Sequence, residues 1–381
     1  MSNTLRSLPI STGAAAAAVL PQLRDALAGT GPAWLPVPSG DQREIDRLTQ
    51  ALSPDRPIDD DVAMVVATSG TTGTPKGAML SASALRASAD ATHRRLGGPG
   101  SWLLALPAHH IAGLQVLLRG LAAGTEPTIV DVSAGFDPAD LVTGIAAMPG
   151  PRRYTSLVPT QLVKVLDNPD AVAALAELDA VMLGGAATPV PLRQRAESEG
   201  ITLVRTYGMS ETCGGCVYDG VPLDCAEVEI SDGRVLLGGA MLSSGYRGLP
   251  DHPAFARSGW FATEDAGTFD YGVLTILGRL DEAISTGGLT VVPQVVEAAL
   301  ATHPDVRECA VFGVTDPRLG ERVVAAVIPV PGSTPTVEQL RDHVAQQLDS
   351  TAAPREVHLI DALPLRGPGK VDRAALRKQF G

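Results

Sequence analysis

The chain is short of what several protein classes require. Its 381 residues include four cysteines, which give no disulfide framework at this size and point to a reduced, cytoplasmic setting. The apolar run Ala14–Leu20, flanked by Pro9 and Pro21, falls well below the ~20 residues needed to cross a bilayer, so no membrane insertion is expected. The positive region before it is thin and no clean cleavage site follows, so a signal peptide is not expected either. Basic charge is also scarce: 30 Lys and Arg stand against 42 Asp and Glu, and a net charge of −12 excludes the basic surface that drives nucleic-acid binding. No internal repeat is visible. What remains, 45% hydrophobic and 19% charged residues, describes a soluble globular protein with room for a large domain and a smaller one.

Apolar and helical stretches alternate through most of the chain. Ala14–Leu27 reads as helical cover broken or kinked at Pro21, and Pro54–Asp61 as a linker into a buried strand at Val62–Ala67. Strands are expected at Ser101–Leu106, Thr128–Val132, Tyr154–Val158, Ala180–Leu183 and Leu203–Thr206, with a helix at Ile111–Ala122. Asp137 and Pro138 cap and open another helix, Ala139–Ala147. Such alternation predicts an α/β fold with a mostly parallel sheet and ligand sites at the carboxyl ends of its strands. Shorter, glycine-rich spacing from Glu227 to Ile276 predicts β hairpins. After Asp281 the pattern becomes α+β: helices near Val292–Thr302 and Thr336–Leu348, the second with a capping box to Gln339, and strands near Cys309–Gly313 and Arg322–Val330.

The most informative stretch is Thr68–Gly77, TSGTTGTPKG. Three glycines allow backbone N–H groups to approach an anion, five hydroxyl residues add donors and Lys76 adds charge. It matches neither the Walker A pattern nor GxGxxG. Taken alone it is equally a polar turn at a strand end. Cys213-Gly-Gly-Cys216, with Cys225 nearby, has metal or redox spacing but lacks an apparent fourth ligand, and small buried side chains are its default reading.

Six further motifs follow the loop in order: Pro107–Gly113 (PAHHIAG), Gly184–Ala186 (GGA), Tyr207–Thr212 (YGMSET), Thr263–Gly267 (TEDAG), Gly278–Gly288 (GRLDEAISTGG) and Gly367–Arg373 (GPGKVDR). Together they resemble the adenylate-forming superfamily of acyl- and aryl-CoA ligases, luciferases and peptide-synthetase adenylation domains. The resemblance covers nearly everything after the first sixty or so residues. It implies residues 1–280 as a nucleotide- and acid-binding domain with a β-rich subdomain, and 281–381 as a small mobile domain hinged at Asp281. It also implies a two-step reaction: carboxylate and ATP give acyl-AMP and pyrophosphate, then coenzyme A gives the thioester and AMP.

Site roles come from the same resemblance. Lys370 would bridge the carboxylate and the α-phosphate. Thr68, Ser69, Gly70, Thr71, Thr72, Gly73, Thr74 and Lys76 would wrap the phosphates. Gly184, Gly185 and Ala186 would border adenine, Tyr207 would stack on it with Gly208 and Met209 beside it, and Thr212 would donate to the α-phosphate. Asp265 and Arg279 would hold the ribose, Glu211 would bind Mg²⁺, and Ser285, Gly287 and Gly288 would line the coenzyme A side. His110 fits the histidine before the acyl pocket; His109 is extra. Thr290 and Val295 depart from common residues without touching a catalytic position.

Pro107–Gly124 and Leu157–Leu166 are similar to the o-succinylbenzoate–CoA ligases of menaquinone biosynthesis, which makes Arg119 the candidate donor to a second carboxylate, with Thr160 and Gln161 beside the pocket. Arg119 is equally readable as a structural residue paired with an acid. Another aryl- or acyl-CoA ligase and a non-catalytic nucleotide-binding relative stay open, as does a homodimer. The expected partners are small molecules: ATP, an aryl acid and coenzyme A, with Mg²⁺.

Overall fold

A computed structural model describes residues 3–68, 74–366 and 370–381, with the side chains of Arg366 and Lys370 outside that description. The chain divides into two units, Met1–Glu229 with Leu236–Ala262 and Tyr271–Leu274, and Ile230–Val235 with Thr263–Asp270 and Thr275–Gly381.

The first unit is built on two sheets. One runs, in spatial order, Pro57–Ile58, Asn3–Ile10, Ala33–Pro38, Val62–Thr68 and Lys76–Ser81. Its three central strands are parallel, and each edge strand is antiparallel to its neighbour. The Gly/Thr loop therefore joins two antiparallel strands, with Thr68 opposite Lys76, and the helix Ala82–Arg95 follows only after the second. The other sheet has seven strands in the order Val221–Pro222, Gly214–Tyr218, Leu203–Met209, Ala180–Leu183, Arg153–Leu157, Ser101–Leu104 and Thr128–Ile129. The five from Leu203–Met209 onward are parallel, as the alternation predicts. Two expected strands are shorter than their apolar runs, and Leu203–Met209 is longer, continuing through Tyr207. Leu20–Ala28 is α-helical with Pro21 in its first turn; Gly13–Val19 before it is 3₁₀, so the proline marks a helix start.

The helix Ile111–Ala122 explains much of the core. Every side chain from Gly113 to Gly120 is buried, so it is a core helix apolar nearly all round, apart from Gln115 and Arg119. A Cβ at Gly113 would lie 2.5 Å from the Pro107 carbonyl oxygen, which lets the helix start directly beneath the PAHHIAG turn. On the opposite sheet face, Leu103, Leu157, Val181 and Leu183 pack with Leu141, Ile145, Leu162, Val165 and Leu175 from three short helices that each begin with proline.

The β-rich stretch contains the hairpins its glycines suggest: Asp232-Gly233 and Tyr271-Gly272 both have two positive φ values (49° and 76°, 52° and 81°), the geometry of a two-residue primed turn.

In the second unit Val306–Asp316 and Gly320–Pro329 form a long antiparallel pair. Alternation divides its side chains cleanly. Val311, Val323, Ala325 and Val327 meet the helices Pro293–Leu300 and Val337–Ala345; Phe312, Val324 and Ala326 meet Leu376 and Phe380 of the C-terminal helix Arg373–Phe380. Thr336 caps its helix from Gln339 N, the expected box. Arg373 ties this unit together, with Nη1 2.7 Å from Glu282, Nη2 2.6 Å from Glu297 and Nε donating to the Val311 carbonyl.

The two carboxylates share one mostly buried cation, so Arg373→Ala should cost about 3 kcal/mol, roughly a hundredfold in the opening equilibrium. Native-state hydrogen exchange at the Val311 amide, which donates to Glu297 Oε1 at 2.7 Å, reads the change directly. Unaltered protection there would show that the pair contributes nothing.

Candidate active site

Four motifs leave the seven-stranded sheet at the carboxyl ends of adjacent parallel strands. PAHHIAG follows Ser101–Leu104, the VPTQL segment follows Arg153–Leu157, GGA follows Ala180–Leu183, and Ser210–Thr212 follows Leu203–Met209. That is the edge at which open α/β sheets bind ligands. Gly185 has φ +83°, and a Cβ at Gly184 would lie 2.4 Å from Thr206 Oγ1, so both positions need glycine. Gly208 is tighter still: a Cβ there would lie 2.0 Å from the Gly214 carbonyl oxygen, at the register shift between Tyr207 and Gly208. Tyr207 is half-buried on that strand and Ala186 is exposed.

Glu211 is 5% exposed, and its Oε1 accepts from the Tyr246 hydroxyl at 2.5 Å. Tyr246 in turn lies beneath Lys76, whose Nζ is 5.0 Å from the ring centroid, and edge-on to His252 at 4.7 Å. Sequence reading missed both Tyr246 and His252. His252 lies 176 residues from Lys76, so no local signal marked their contact.

Thr212 is fully buried. Its hydroxyl accepts from Met209 N at 2.9 Å and donates to Gly214 O at 2.7 Å, so its one hydrogen is already engaged. Ser210, one residue before Glu211, donates to Ala67 O at 3.2 Å, at the end of the strand that enters the Gly/Thr loop. The hydroxyl nearer that loop is therefore Ser210. Ser69, Gly70, Thr71, Thr72 and Gly73 lie outside the described residues, as does the Lys370 side chain. The Lys370 backbone pairs with Arg366 in a small antiparallel hairpin.

Arg119 is 2% exposed, and among the described residues it pairs with no carboxylate. Its Nη2 donates to the Tyr218 hydroxyl at 3.2 Å, Nη1 lies 3.4 Å from Met182 Sδ, and the guanidinium sits 5.3 Å from the Trp102 ring centroid. Arg119 Nε and both amide atoms of Gln115, one helical turn earlier, are buried and lack a hydrogen-bond partner among the described residues. Thr160 is exposed, and Gln161 binds backbone, giving Nε2 to Ala105 O and accepting from Val158 N. Arg119 and Gln115 thus stand one turn apart on the same buried helix, and Gln161 is a helix cap.

His110 is the exposed N-cap of the Arg119 helix, with its ring 4.1 Å from that of His109. Burial, helped by His110, holds His109 down to about 4. Burial and then the Arg119 charge hold His93 down to about 4, where it accepts from Trp102 Nε1 at 3.3 Å. Cys213 and Cys216 are buried free thiols, with Cys216 pushed up by burial to about 12.

In the second unit, Arg279 grips Asp281 with two hydrogen bonds of 2.9 and 2.8 Å and stands 3.7 Å from Asp265. Those bonds, chiefly the one to Asp281, push the guanidinium further up. Glu264 forms an exposed ion pair with Arg234. Gly287 and Gly288 turn the hairpin between Ile284–Thr286 and Leu289–Val291 with φ +58° and +82°, and Ser285 N donates to Glu321 at 2.8 Å. No helix is long and apolar enough to cross a membrane among the described residues.

Residues 14–242 match the AMP-binding enzyme family, and residues 295–370 match the AMP-binding enzyme C-terminal domain. The chain belongs to the AMP-binding enzyme family. It is 57% identical to a probable 2-succinylbenzoate–CoA ligase of Mycobacterium tuberculosis, across 99% of this chain and 98% of that one. It is also 32% identical to a feruloyl-CoA synthase of Amycolatopsis, across 91% and 75% of the two chains. Among solved structures it superposes on E. coli MenE holding an m-phenylether-linked analogue of OSB-AMS, with TM-score 0.77, 27% identity and coverage of 99% and 88%. The family expected from the motif order is therefore the family found, and the match begins at residue 14, well before the first motif.

Two measurements test this geometry. Gly208→Ala should cost about 2–3 kcal/mol through the clash with Gly214, lowering the thermal midpoint by several degrees; an unshifted midpoint would contradict the packing. Buried His93 and half-buried His109 both have folded values of about 4, below the unfolded value of about 6.5, so the unfolded chain binds more protons between these limits. Stability should therefore be fully present above about pH 6.5 and fall toward pH 4. The urea midpoint should drop between pH 7 and 5, and by less in His93→Phe.

Proposed function

We propose that the protein is an ATP-dependent, AMP-forming acid–CoA ligase that converts 2-succinylbenzoate to its CoA thioester, a step of menaquinone biosynthesis in the cytoplasm. The observation that carries the acid assignment is Arg119. A guanidinium buried without a carboxylate, beside an unpartnered Gln115 amide, suits an acid that brings a second carboxylate of its own. The Mycobacterium tuberculosis relative, at 57% identity along both chains, supports the same substrate.

In this reading the Gly/Thr loop and Lys76 hold the triphosphate, and Gly184, Gly185, Ala186 and Tyr207 border the adenine. Thr212 would donate to the α-phosphate, with Ser210, bonded to Ala67 O at the strand that enters the loop, as the alternative hydroxyl. Asp265 and Arg279 hold the ribose. Glu211 is a buried carboxylate, and the described residues offer no cluster of three metal-binding side chains, a donor set that fits a cation keeping its waters and phosphate oxygens. Glu211 would hold Mg²⁺, which when bound neutralises phosphate charge. Lys370 would orient the acid carboxylate against the α-phosphate, acting by position and charge. His110 would stand at the acyl side, and Ser285, Gly287 and Gly288 would line the approach of coenzyme A. Residues 281–381 form the proposed mobile domain, with Asp281, held by Arg279, as the hinge.

AMP release with ATP, Mg²⁺ and coenzyme A should be confined to 2-succinylbenzoate in a panel that includes ferulate and fatty acids. Arg119→Gln should lower kcat/KM for 2-succinylbenzoate about a hundredfold and leave any residual turnover of a monoacid unchanged. Turnover of ferulate in preference would move the acid and keep the chemistry. An equal loss on every acid would remove Arg119 from substrate recognition.

A further inference from the structure

A chain of hydrogen bonds starts at Arg119, and its geometry fixes its direction. Arg119 Nη2 donates to the Tyr218 hydroxyl at 3.2 Å, and that hydroxyl lies 2.8 Å from Thr92 Oγ1. Thr92, on the helix Ala82–Arg95, gives its one hydroxyl hydrogen to the Ser88 carbonyl at 2.9 Å, one turn back on the same helix. Tyr218 therefore donates to Thr92 and turns its lone pairs to the guanidinium. Every hydrogen in the chain points away from Arg119, and the chain ends on a backbone carbonyl. Ser88 is itself tied through Oγ to Cys213 O at 3.2 Å, one residue before the strand Gly214–Tyr218.

The chain orients the cation without neutralising it. Burial pushes the Tyr218 hydroxyl up, so it stays protonated and offers a dipole in place of a charge. Tyr218, Thr92 and Arg119 are all buried, so the contact is shielded from solvent and correspondingly strong. With Nη2 held by Tyr218 and Nη1 against the Met182 thioether, Nε is left without a partner among the described residues. Gln115, whose amide atoms are unpartnered in the same sense, lies against the other end of the Tyr218 strand: a Cβ at Gly214 would lie 3.3 Å from its Cγ. One strand thus braces both polar side chains of the Arg119 helix.

We infer that Tyr218 is a positioning residue for acid recognition: its hydroxyl, backed by Thr92, pins the Arg119 guanidinium by Nη2 and leaves the Nε edge for the carboxylate that is not activated. The inference rests on the ligase reading above, and it adds to that reading two residues, Tyr218 and Thr92, that touch no substrate and belong to no sequence motif singled out for the site. Without the phenol hydroxyl the guanidinium loses its one hydroxyl acceptor and the orientation that goes with it. The second carboxylate would then have to order the side chain as it binds.

The test is steady-state kinetics of the full-length protein with ATP, Mg²⁺ and coenzyme A, varying 2-succinylbenzoate and ATP in turn. Tyr218→Phe, which keeps the ring and deletes the hydroxyl, should raise the KM for 2-succinylbenzoate about tenfold, with a far smaller change in kcat and none in the KM for ATP. At Thr92 a packing role and a positioning role predict opposite orders. Valine keeps the volume of threonine and removes the hydroxyl, whereas serine keeps the hydroxyl and loses a methyl. Thr92→Val should therefore raise the acid KM severalfold, and Thr92→Ser should stay near the unaltered protein. In an Arg119→Gln background Tyr218→Phe should have no further effect on the acid KM, because it acts through Arg119. An unchanged acid KM in Tyr218→Phe, an equal rise for ATP, a larger loss in Thr92→Ser than in Thr92→Val, or losses that add to that of Arg119→Gln would each overturn the inference and leave the ligase reading standing. No turnover of 2-succinylbenzoate by the unaltered protein, or no effect of Arg119→Gln on it, would overturn that reading and the inference together.

Discussion

A guanidinium buried without a carboxylate is the constraint around which the first unit is arranged. Taking an uncompensated charge out of water is costly, and the surroundings of Arg119 offer partial answers only: a tyrosine hydroxyl, a thioether and the face of Trp102. Each answer shapes the fold. Tyr218 must reach in from its strand and is held by Thr92 at 2.8 Å; His93, packed on Trp102, must stay neutral beside the charge. The helix that carries Arg119 is buried from Gly113 to Gly120, so the side chain cannot escape to solvent. Such an arrangement is stable enough to fold and leaves a favourable place for an anion.

The second organising fact is that cations are few and local. With 30 basic residues against 42 acidic ones, the chain cannot gather phosphates by its overall field. It uses short-range geometry instead. Lys76 is held over Tyr246, and the same tyrosine hydrogen-bonds Glu211, so one aromatic ring fixes both a cation and the carboxylate proposed to hold a metal. Arg279, the proposed ribose holder, is likewise fixed by two bonds to Asp281. Pre-positioning of this kind removes ordering costs from the binding step.

Much of this was legible in sequence, for identifiable reasons. Parallel strands buried on both faces read as apolar runs, and the turns at their carboxyl ends are rich in glycine and proline, so the five parallel strands of the seven-stranded sheet and their motifs were visible together, while Gly214–Tyr218 and Val221–Pro222 were not anticipated. Asn3–Ile10 and Ala33–Pro38 were not anticipated: both carry prolines, which mask a strand whose partner is distant in sequence. That Ser210 bonds the strand entering the Gly/Thr loop while Thr212 bonds Gly214 also needed coordinates, since the two hydroxyls are equivalent as letters. His252 was invisible because its meaning comes from a contact across 176 residues.

Family membership by itself does not choose the acid. Relatives that share the fold and the motif order include a 2-succinylbenzoate ligase and a feruloyl-CoA synthase, at 36% and 32% identity, so moderate similarity selects the reaction class and not the acid. Recognition of a particular acid must come from polar groups that a wrong substrate would leave unpaired. Arg119 and Gln115 are the groups proposed for that role. On that proposal a monocarboxylate would give up its one charge to activation and leave the guanidinium as it is in the free protein, whereas a dicarboxylate would activate one end and compensate the buried cation with the other. The binding energy of the second carboxylate would then be available only to acids that have one, and an otherwise destabilising buried charge would become a means of selection.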